Sequence, residues 1–318
     1  MKITVHMASR GRQFQLVAAL ASLRDNESGK HEVRYAVACD VDDPVTIGTL
    51  QSLQAKMPLG YRVGHRPISL DALHNQLCLD MPADAYVCFI DDALCLTKDW
   101  DERVAESYTA NPKGVWWWKS KGEEITLIPI VSEAWREAAG GIFPEHFPYW
   151  WGDTWLSEVW VLATEGPMLS VDAWFMDCPK KTHGMRELRF WHDYYLWLQP
   201  ERIEQAKTVA ALLGLAPPNI PDLLAKVVGA PNRKFRARIE EIEKIQGELG
   251  PPHEGYKVAK ARALAAMSGG EAVPDVPGVN IEDVLTPEVI GILVRHFPDA
   301  IPEMVELPPT EIERRFDI

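Results

Sequence analysis

Over residues 1 to 100, short apolar runs alternate with amphipathic stretches, and this alternation constrains the fold more than any other feature of the sequence. The apolar runs are Ile3 to Met7, Val33 to Cys39, Tyr61 to Val63 and Ala85 to Ile90. Such runs predict strands, and helical periodicity between them predicts strand–helix–strand units on a largely parallel sheet. We therefore expect an α/β fold in the N-terminal part of the chain.

Three amphipathic stretches predict the connecting helices. The first follows a turn at Ser9 to Arg12. The second begins at Asp43-Pro44, where a capping residue precedes a proline at the first helical position. The third runs from Leu70 to Leu79 and carries Asn75. The apolar positions at helical spacing are Phe14, Val17, Leu20 and Ala21 in the first helix and Val45, Ile47, Leu50 and Leu53 in the second.

Composition and charge narrow the class of protein. The chain has 318 residues, 47% of them hydrophobic and 25% charged, as in soluble globular proteins. That length suits a catalytic domain of roughly 200 residues with an extension. The net charge of -13 disfavours sequence-independent binding to nucleic acid or anionic membranes, because such binding depends on neutralising phosphate charge.

No apolar run approaches the ~20 residues that cross a bilayer, and the N-terminal segment lacks the pattern of a secretion signal. The five cysteines include no CxxC pair, which suits reduced, buried thiols. We therefore expect a cytoplasmic protein without a membrane span.

Aromatic residues mark a different region from residue 113 onward. Eleven of the twelve tryptophans fall between Trp116 and Trp197. We expect most of them to fill a core, and one or two to form stacking platforms for a sugar ring or a base. After about residue 200 the sequence reads as helices broken by proline and glycine. Basic residues from Lys226 to Arg238 predict a solvated helix face.

Carboxylates follow two of the predicted strands directly. Asp40, Asp42 and Asp43 end the second strand, and Asp91 and Asp92 end the strand that begins at Ala85. Open α/β sheets bind ligands at the carboxyl ends of their strands. Carboxylates there can accept ribose hydroxyls or hold a hard cation that bridges phosphates.

Together these segments resemble the family 2 glycosyltransferases of the GT-A fold, over roughly residues 1 to 197. ITVHMASRGR resembles the opening strand and its arginine loop, and YAVACDVDDP resembles the strand whose aspartate contacts the nucleotide. LHNQL resembles the helix before the metal strand. The resemblance implies a nucleotide-sugar site made of Arg10, Arg12, Asp40, Asp42, Asn75 and Asp91.

The resemblance also implies a metal site and a catalytic base. AYVCFIDDALCLTKDWDERV is similar to the acidic metal motif, but Ala93 replaces the last acid of Asp-x-Asp. In FWHDYY, His192 resembles the late histidine of the metal site. Asp91, Asp92 and His192 are thus the implied ligands of Mn²⁺ or Mg²⁺. In HFPYWWGDTW, Asp153 matches the catalytic carboxylate. Glu145 and Glu158 are the alternatives to Asp153.

The fold implied is a GT-A type, Rossmann-like nucleotide-binding sheet with an appended, mainly helical C-terminal segment. The expected catalytic domain spans residues 1–200, with a nucleotide-sugar part at 1–112 and a tryptophan-rich acceptor part at 113–200, and the helical extension spans 201–318. The expected enzyme is a metal-dependent, inverting hexosyltransferase that uses a UDP-sugar. Its acceptor stays open among a glycan, a metabolite, a protein and a hydroxylated DNA base.

Two other functions remain open at this point. A sugar nucleotidyltransferase uses a similar sheet and a carboxylate-held metal, but it normally needs a glycine-rich loop where SRGR has one glycine. A non-catalytic carbohydrate-binding protein would account for the tryptophans but not for the carboxylates at the strand ends. A nicotinamide dehydrogenase is disfavoured because no GxGxxG follows the first strand.

Overall fold

The computed structural model describes residues 1–64, 69–120, 128–148, 151–177, 187–220, 239, 252 and 254–268. The chain divides into two compact units, residues 1–249 and 250–318. In the first unit the described strands are β1 (Lys2–Ser9), β2 (Glu32–Asp40), β3 (Leu59–Gly64), β4 (Ala85–Cys88), β5 (Ala93–Cys95), β6 (Val115–Ser120), β7 (Pro129–Ser132) and β8 (Leu169–Asp177).

The described helices of the first unit lie between and after these strands. They are α1 (Gln13–Asp25), α2 (Pro44–Gln54), α3 (Leu70–Asp80), α4 (Trp100–Ala110), α5 (Glu133–Ala139), α6 (Gly152–Thr164), α7 (Leu188–Trp197) and α8 (Gln199–Leu213). In the second unit the structure describes one helix, α9 (Glu254–Met267). Among the described residues, no helix has the length and apolar character needed to span a membrane.

Within the described residues the strands form one mixed sheet in the order β3-β2-β1-β4-β7-β6-β8-β5. Strands β3, β2, β1 and β4 are parallel, as the sequence predicts. Strand β7 runs antiparallel to β4 and β6, and β8 runs parallel to β6 and antiparallel to β5. The carboxyl ends of the four parallel strands therefore share one edge of the sheet.

The two faces of β1 differ in chemistry. Ile3, Val5 and Met7 belong to the main apolar core. Because side chains alternate along a strand, Thr4 and His6 point to the opposite face, where His6 stacks on His74 of α3. The polar residues of this second face are also fully buried.

Helix α1 forms where the sequence predicts it, but it buries a different set of side chains. Phe14 is 79% exposed and Val17 is also exposed. The buried side chains of α1 are Leu16, Ala19, Leu20 and Leu23. The spacing of 3 to 4 residues is kept, and the core-facing stripe includes Leu20 from the predicted set.

The second predicted helix and its cap are confirmed. The carboxylate of Asp43 accepts a hydrogen bond from the backbone N–H of Thr46 at 3.2 Å, and Pro44 occupies the first helical position. Strand β4 ends at Cys88, two residues earlier than the apolar run predicts. The chain turns at this point, and Phe89 N–H still donates to the carbonyl of His6 at 2.9 Å.

The tryptophan-rich region is mostly core, as expected. Nine tryptophans of the described residues are buried, among them Trp117, Trp118 and Trp135. Helix α8 packs against α5 and α6. The predicted domain boundary at residue 200 falls at the start of this helix, and the predicted division of the chain into 1–200 and 201–318 stays a prediction.

Candidate functional site

The loop between β1 and α1 crosses the carboxyl edge of the sheet between the ends of two neighbouring strands. Strand β1 pairs with β2 on one side and with β4 on the other. An arginine that follows β1 can therefore reach the end of either neighbour. The structure brings both predicted carboxylate groups, at residues 40–43 and 91–92, against this loop.

Arg10 contacts the carboxylates that follow β2. Its guanidinium donates to Asp40 Oδ2 at 2.5 Å and to Asp42 Oδ2 at 2.9 Å. Arg12 reaches the other side, where one nitrogen lies 3.0 Å from Asp91 Oδ1 and 2.9 Å from Asp92 Oδ2. Six of the residues predicted to bind nucleotide or metal thus form two adjacent ion-pair clusters.

Gly11 lets the two neighbouring arginines diverge. Its φ of +62° lies in the left-handed region, which costs glycine little and other residues more. Its N–H donates to Asp43 Oδ2 at 2.7 Å. Burial raises the pKa of Asp43, but the hydrogen bonds from Thr46 and Gly11 outweigh burial and leave this pKa below its ordinary value. Asp43 is therefore both a helix cap and the anchor of the arginine loop.

The electrostatics of this edge suit a divalent cation. Its aspartates (Asp40, Asp42, Asp43, Asp91 and Asp92) outnumber its arginines five to two. Asp91 and Asp92 are buried, and the pKa of Asp91 is raised by burial while the charge of Arg12 opposes this shift. Hard oxygen donors held side by side match the ligands that Mn²⁺ and Mg²⁺ prefer. Arg12 contacts these same oxygens, so a cation would share or replace its ion pairs.

His192, the third implied metal ligand, lies buried on α7. Its Nδ1 is 3.8 Å from a carboxylate oxygen of Asp193. Its role as a metal ligand stays a prediction.

Asn75 lies on α3, and its amide holds the segment of residues 142–145. Its oxygen accepts from the N–H groups of Ile142 at 2.8 Å and Phe143 at 3.2 Å. Its nitrogen donates to the Phe143 carbonyl at 2.9 Å and to Glu145 Oε1 at 3.0 Å. These bonds use the full capacity of the amide, so a nucleotide contact would have to displace one of them. The nucleotide-binding role of Asn75 also stays a prediction.

Asp153, the implied catalytic base, lies in the first turn of α6. Trp151, two residues before Asp153, is buried and has φ +68°, a left-handed conformation that is rare for a bulky residue and is found disproportionately at functional sites. Burial raises the pKa of Asp153, and hydrogen bonds from Thr154 oppose this shift. The resulting carboxylate is a stronger base than an exposed aspartate.

Two further acids lie near Asp153. A side chain on Gly152 would bring its Cβ within 2.5 Å of both carboxylate oxygens of Asp71, so Asp71 packs directly against the start of α6. The pKa of Asp71 is raised well above its ordinary value, first by burial and then by the charges of Asp153 and Glu145. Glu145 itself is exposed. The acidic group formed by Asp71, Glu145 and Asp153 was not expected from the sequence as a set.

Glu158, one alternative to Asp153, takes part in a buried ion pair. Its Oε2 lies 3.0 Å from Nε of Arg202, and both side chains are almost fully buried. The hydroxyl of Tyr195 also donates to this carboxylate. A carboxylate engaged by a buried guanidinium and a phenol is suited to holding helices together.

Among the described tryptophans, Trp174 and Trp197 are more than a third exposed. The ring of Trp197 stacks on Tyr194 at a centroid distance of 5.9 Å, and Lys119 lies over Trp174 at 5.6 Å. These two residues are the candidates for a stacking platform, and that role stays a prediction. The burial of the other described tryptophans weakens the case for a carbohydrate-binding module, since that case depended on them. The basic segment from Lys226 to Arg238 lies outside the described residues.

Comparison with known proteins supports the fold. No protein-family model matches the sequence, and no curated protein matches it. S. aureus TarS 1-349 in complex with UDP is similar in structure, with a TM-score of 0.54 and 12% identity over 92% of this chain and 83% of that chain. Mannosyltransferase PcManGT from Pyrobaculum calidifontis, in complex with GDP-Man and Mn2+, has a TM-score of 0.51 and 14% identity over 99% of this chain and 87% of that chain. The chain therefore has the α/β fold of the GT-A glycosyltransferases.

Proposed function

We propose that this chain is a metal-dependent, inverting glycosyltransferase that moves a hexose from a nucleoside diphosphate sugar to an acceptor hydroxyl. The observation that carries the proposal is the convergence of Arg10 and Arg12 with the carboxylates after β2 and β4 at one sheet edge. The fold supports it, because TarS was crystallised with UDP and PcManGT is in complex with GDP-Man and Mn2+. A UDP-sugar is the expected donor.

On the donor side, Asp40 and Asp42 are assigned to the base and ribose, whose hydroxyls are good partners for carboxylates. Asp91 is assigned to the ribose or the metal. Arg10 and Arg12 are the nearby positive charges, and they are expected to leave part of their present ion pairs and face the diphosphate. A charge-assisted hydrogen bond to a departing diphosphate is stronger than a neutral one.

A Mn²⁺ or Mg²⁺ ion held by Asp92, with Asp91 and His192, would supply positive charge to the leaving diphosphate. The excess of carboxylates over arginines at this edge supports a cation requirement. Without a cation, a diphosphate would approach an edge that carries net negative charge.

On the acceptor side, Asp153 is assigned as the base that takes the proton from the attacking hydroxyl. Its half-buried position and raised pKa favour this role, and help of this kind is typically worth ~10²–10⁴-fold in rate. The neighbouring Asp71 and Glu145 make this side acidic. An acidic acceptor side favours a neutral or cationic polyol over a phosphate-rich acceptor, so a hydroxylated DNA base is disfavoured.

The direct test is release of nucleoside diphosphate from a panel of UDP- and GDP-sugars, with and without Mn²⁺. One donor is expected to be consumed in a cation-dependent manner. An Asp91→Asn, Asp92→Asn double variant should lose activity by about 10²-fold or more, as when charge stabilisation of a leaving group is removed. Asp172→Asn is the matched control, because Asp172 is an exposed residue of β8 that pairs with Lys119. A protein that consumes no donor would refute the proposal.

Asp153→Asn tests the base assignment separately. Transfer to the acceptor should fall ~10²–10⁴-fold while donor affinity is kept, because Asp153 is assigned to the acceptor hydroxyl and not to the donor. Glu145→Gln is the control in the same acidic group. If Glu145→Gln abolished transfer and Asp153→Asn did not, the base would be Glu145.

A further inference from the structure

Helix α3 buries His74 and Cys78 beside Leu77, while Leu70 and Leu79 near its two ends face solvent. His74 and Cys78 are buried, whereas Leu70 is exposed and Leu79 is 74% exposed. His74 and Cys78 are four residues apart and so share one helix face. Burial of apolar surface alone would favour apolar residues at positions 74 and 78 as well. The inward face of α3 therefore carries imidazole and thiol groups for another reason.

The sheet beneath α3 presents groups of the same kind. His6 of β1 and Cys88 of β4 are register partners on adjacent parallel strands, so their side chains stand side by side. Both are buried. His6, His74 and Cys88 each offer a ligand atom that lies within 4.8 Å of those of the other two.

Two imidazole nitrogens in this group lack a hydrogen-bond partner among the described residues. They are His6 Nε2 and His74 Nδ1. The other nitrogen of His6, Nδ1, lies 3.9 Å from Cys78 Sγ, a contact that orients the ring. Buried polar atoms are normally paired, and leaving one unpaired is unfavourable. Both rings are buried, and the neutral form of histidine is the form that binds a metal.

We propose that His6, His74 and Cys88 bind one Zn²⁺ ion that anchors α3 to β1 and β4. Two imidazoles and a thiolate are a donor set that suits zinc. Tetrahedral zinc takes a fourth ligand, which a water molecule would supply, and the three protein ligand atoms would approach one another from separations of at most 4.8 Å. As the bond between sulfur and zinc forms, the thiol proton of Cys88 passes to solvent. This centre is distinct from the strand-end carboxylates, whose oxygens suit harder cations.

The first test is metal analysis of the full chain. Protein expressed with added zinc and dialysed against metal-free buffer should retain about one zinc ion per chain, as expected for a structural site. Replacement of zinc by Co²⁺ should produce a thiolate-to-cobalt charge-transfer band in the near ultraviolet, because one ligand is sulfur. A folded wild-type protein that retains no zinc and shows no such band would overturn the proposal without any variant.

Variants assign the ligands. Cys88→Ser should remove the thiolate band, whereas Cys39→Ser, which alters another buried thiol of the same sheet, should keep it. The Asp91→Asn, Asp92→Asn double variant should also keep the band and the zinc. A band that survives Cys88→Ser would overturn the assignment. None of these measurements requires sugar transfer, so the zinc centre and the proposed enzyme activity can fail independently.

Discussion

The ion pair between Glu158 and Arg202 joins α6, which carries Asp153, to α8, and its loss should destabilise the protein markedly. The side chain of Arg202 is 1% exposed and that of Glu158 is 7% exposed. In Glu158→Gln, the guanidinium would remain buried without its carboxylate. Removing one partner of a buried pair typically costs about 3–5 kcal/mol, because an uncompensated charge stays in the interior.

The surroundings of Arg202 place the expected loss near the lower end of that range. Its guanidinium carbon lies 3.8 Å from the ring centroid of Tyr195 and 5.1 Å from that of Trp155. Such cation–π contacts persist in the variant and contribute about 0.5–2 kcal/mol. We therefore expect a loss of about 3 kcal/mol. For a unit of this size that corresponds to a fall in Tm of roughly 6–12 °C.

Urea and thermal unfolding, followed by circular dichroism, measure this effect. The control is Glu201→Gln. Glu201 lies on α8 beside Arg202 and forms a more exposed pair with His146, so its loss should cost less than about 1 kcal/mol. Adding Arg202→Met to Glu158→Gln removes both charges and should recover part of the stability. If Glu158→Gln stayed within 1 kcal/mol of wild type, the reasoning about this buried pair would be wrong.

Three further predictions concern the candidate site. The raised pKa of Asp71 means that the folded state holds its proton more tightly, so wild-type stability falls as pH rises from the ordinary carboxyl range through that raised value. Asp71→Asn should remove this loss, which urea unfolding at acidic and alkaline pH would reveal. If the free energies of unfolding of wild type and variant changed in parallel with pH, the prediction would be contradicted. Asp43→Ala should cost about 1 kcal/mol near neutral pH, where the lowered pKa keeps the cap ionised, and the deficit should shrink as acid protonates the wild-type carboxylate. Arg12→Gln should slow transfer and also lower the Mn²⁺ concentration needed for half-maximal rate, because no guanidinium competes for Asp91 and Asp92; a higher Mn²⁺ requirement would contradict this.

Much of the fold follows from periodicity alone. A parallel strand that is buried on both faces is rich in apolar residues along its whole length. Such apolar runs in the sequence identify β1, β2 and β4, with small errors at the strand ends. The convergence of Asp40 and Asp91 on one edge follows from the shared direction of these strands. The pairing of Arg10 with one cluster and Arg12 with the other depends on the left-handed turn at Gly11, which spacing does not determine.

For helix α3 the sequence analysis predicts the helix and singles out Asn75, but it does not predict which side chains turn inward. The structure buries His74 and Cys78 together with Leu77, while Leu79 is exposed. A signal was present, because Asp71, His74 and Cys78 repeat at helical spacing. The groups of the sheet that receive His74 and Cys78 become neighbours only through the pairing of residues distant in sequence, which helical spacing does not reveal.

Calorimetric titration of UDP and GDP, with and without Mn²⁺, tests most directly whether the carboxyl edge of the sheet binds a nucleotide. We expect one nucleotide per chain to bind in the presence of the cation, and we expect binding to be lost in the Asp91→Asn, Asp92→Asn variant but kept in Asp153→Asn. If neither nucleotide binds with the cation present, or if the double variant binds as tightly as wild type, the assignment of this edge is contradicted.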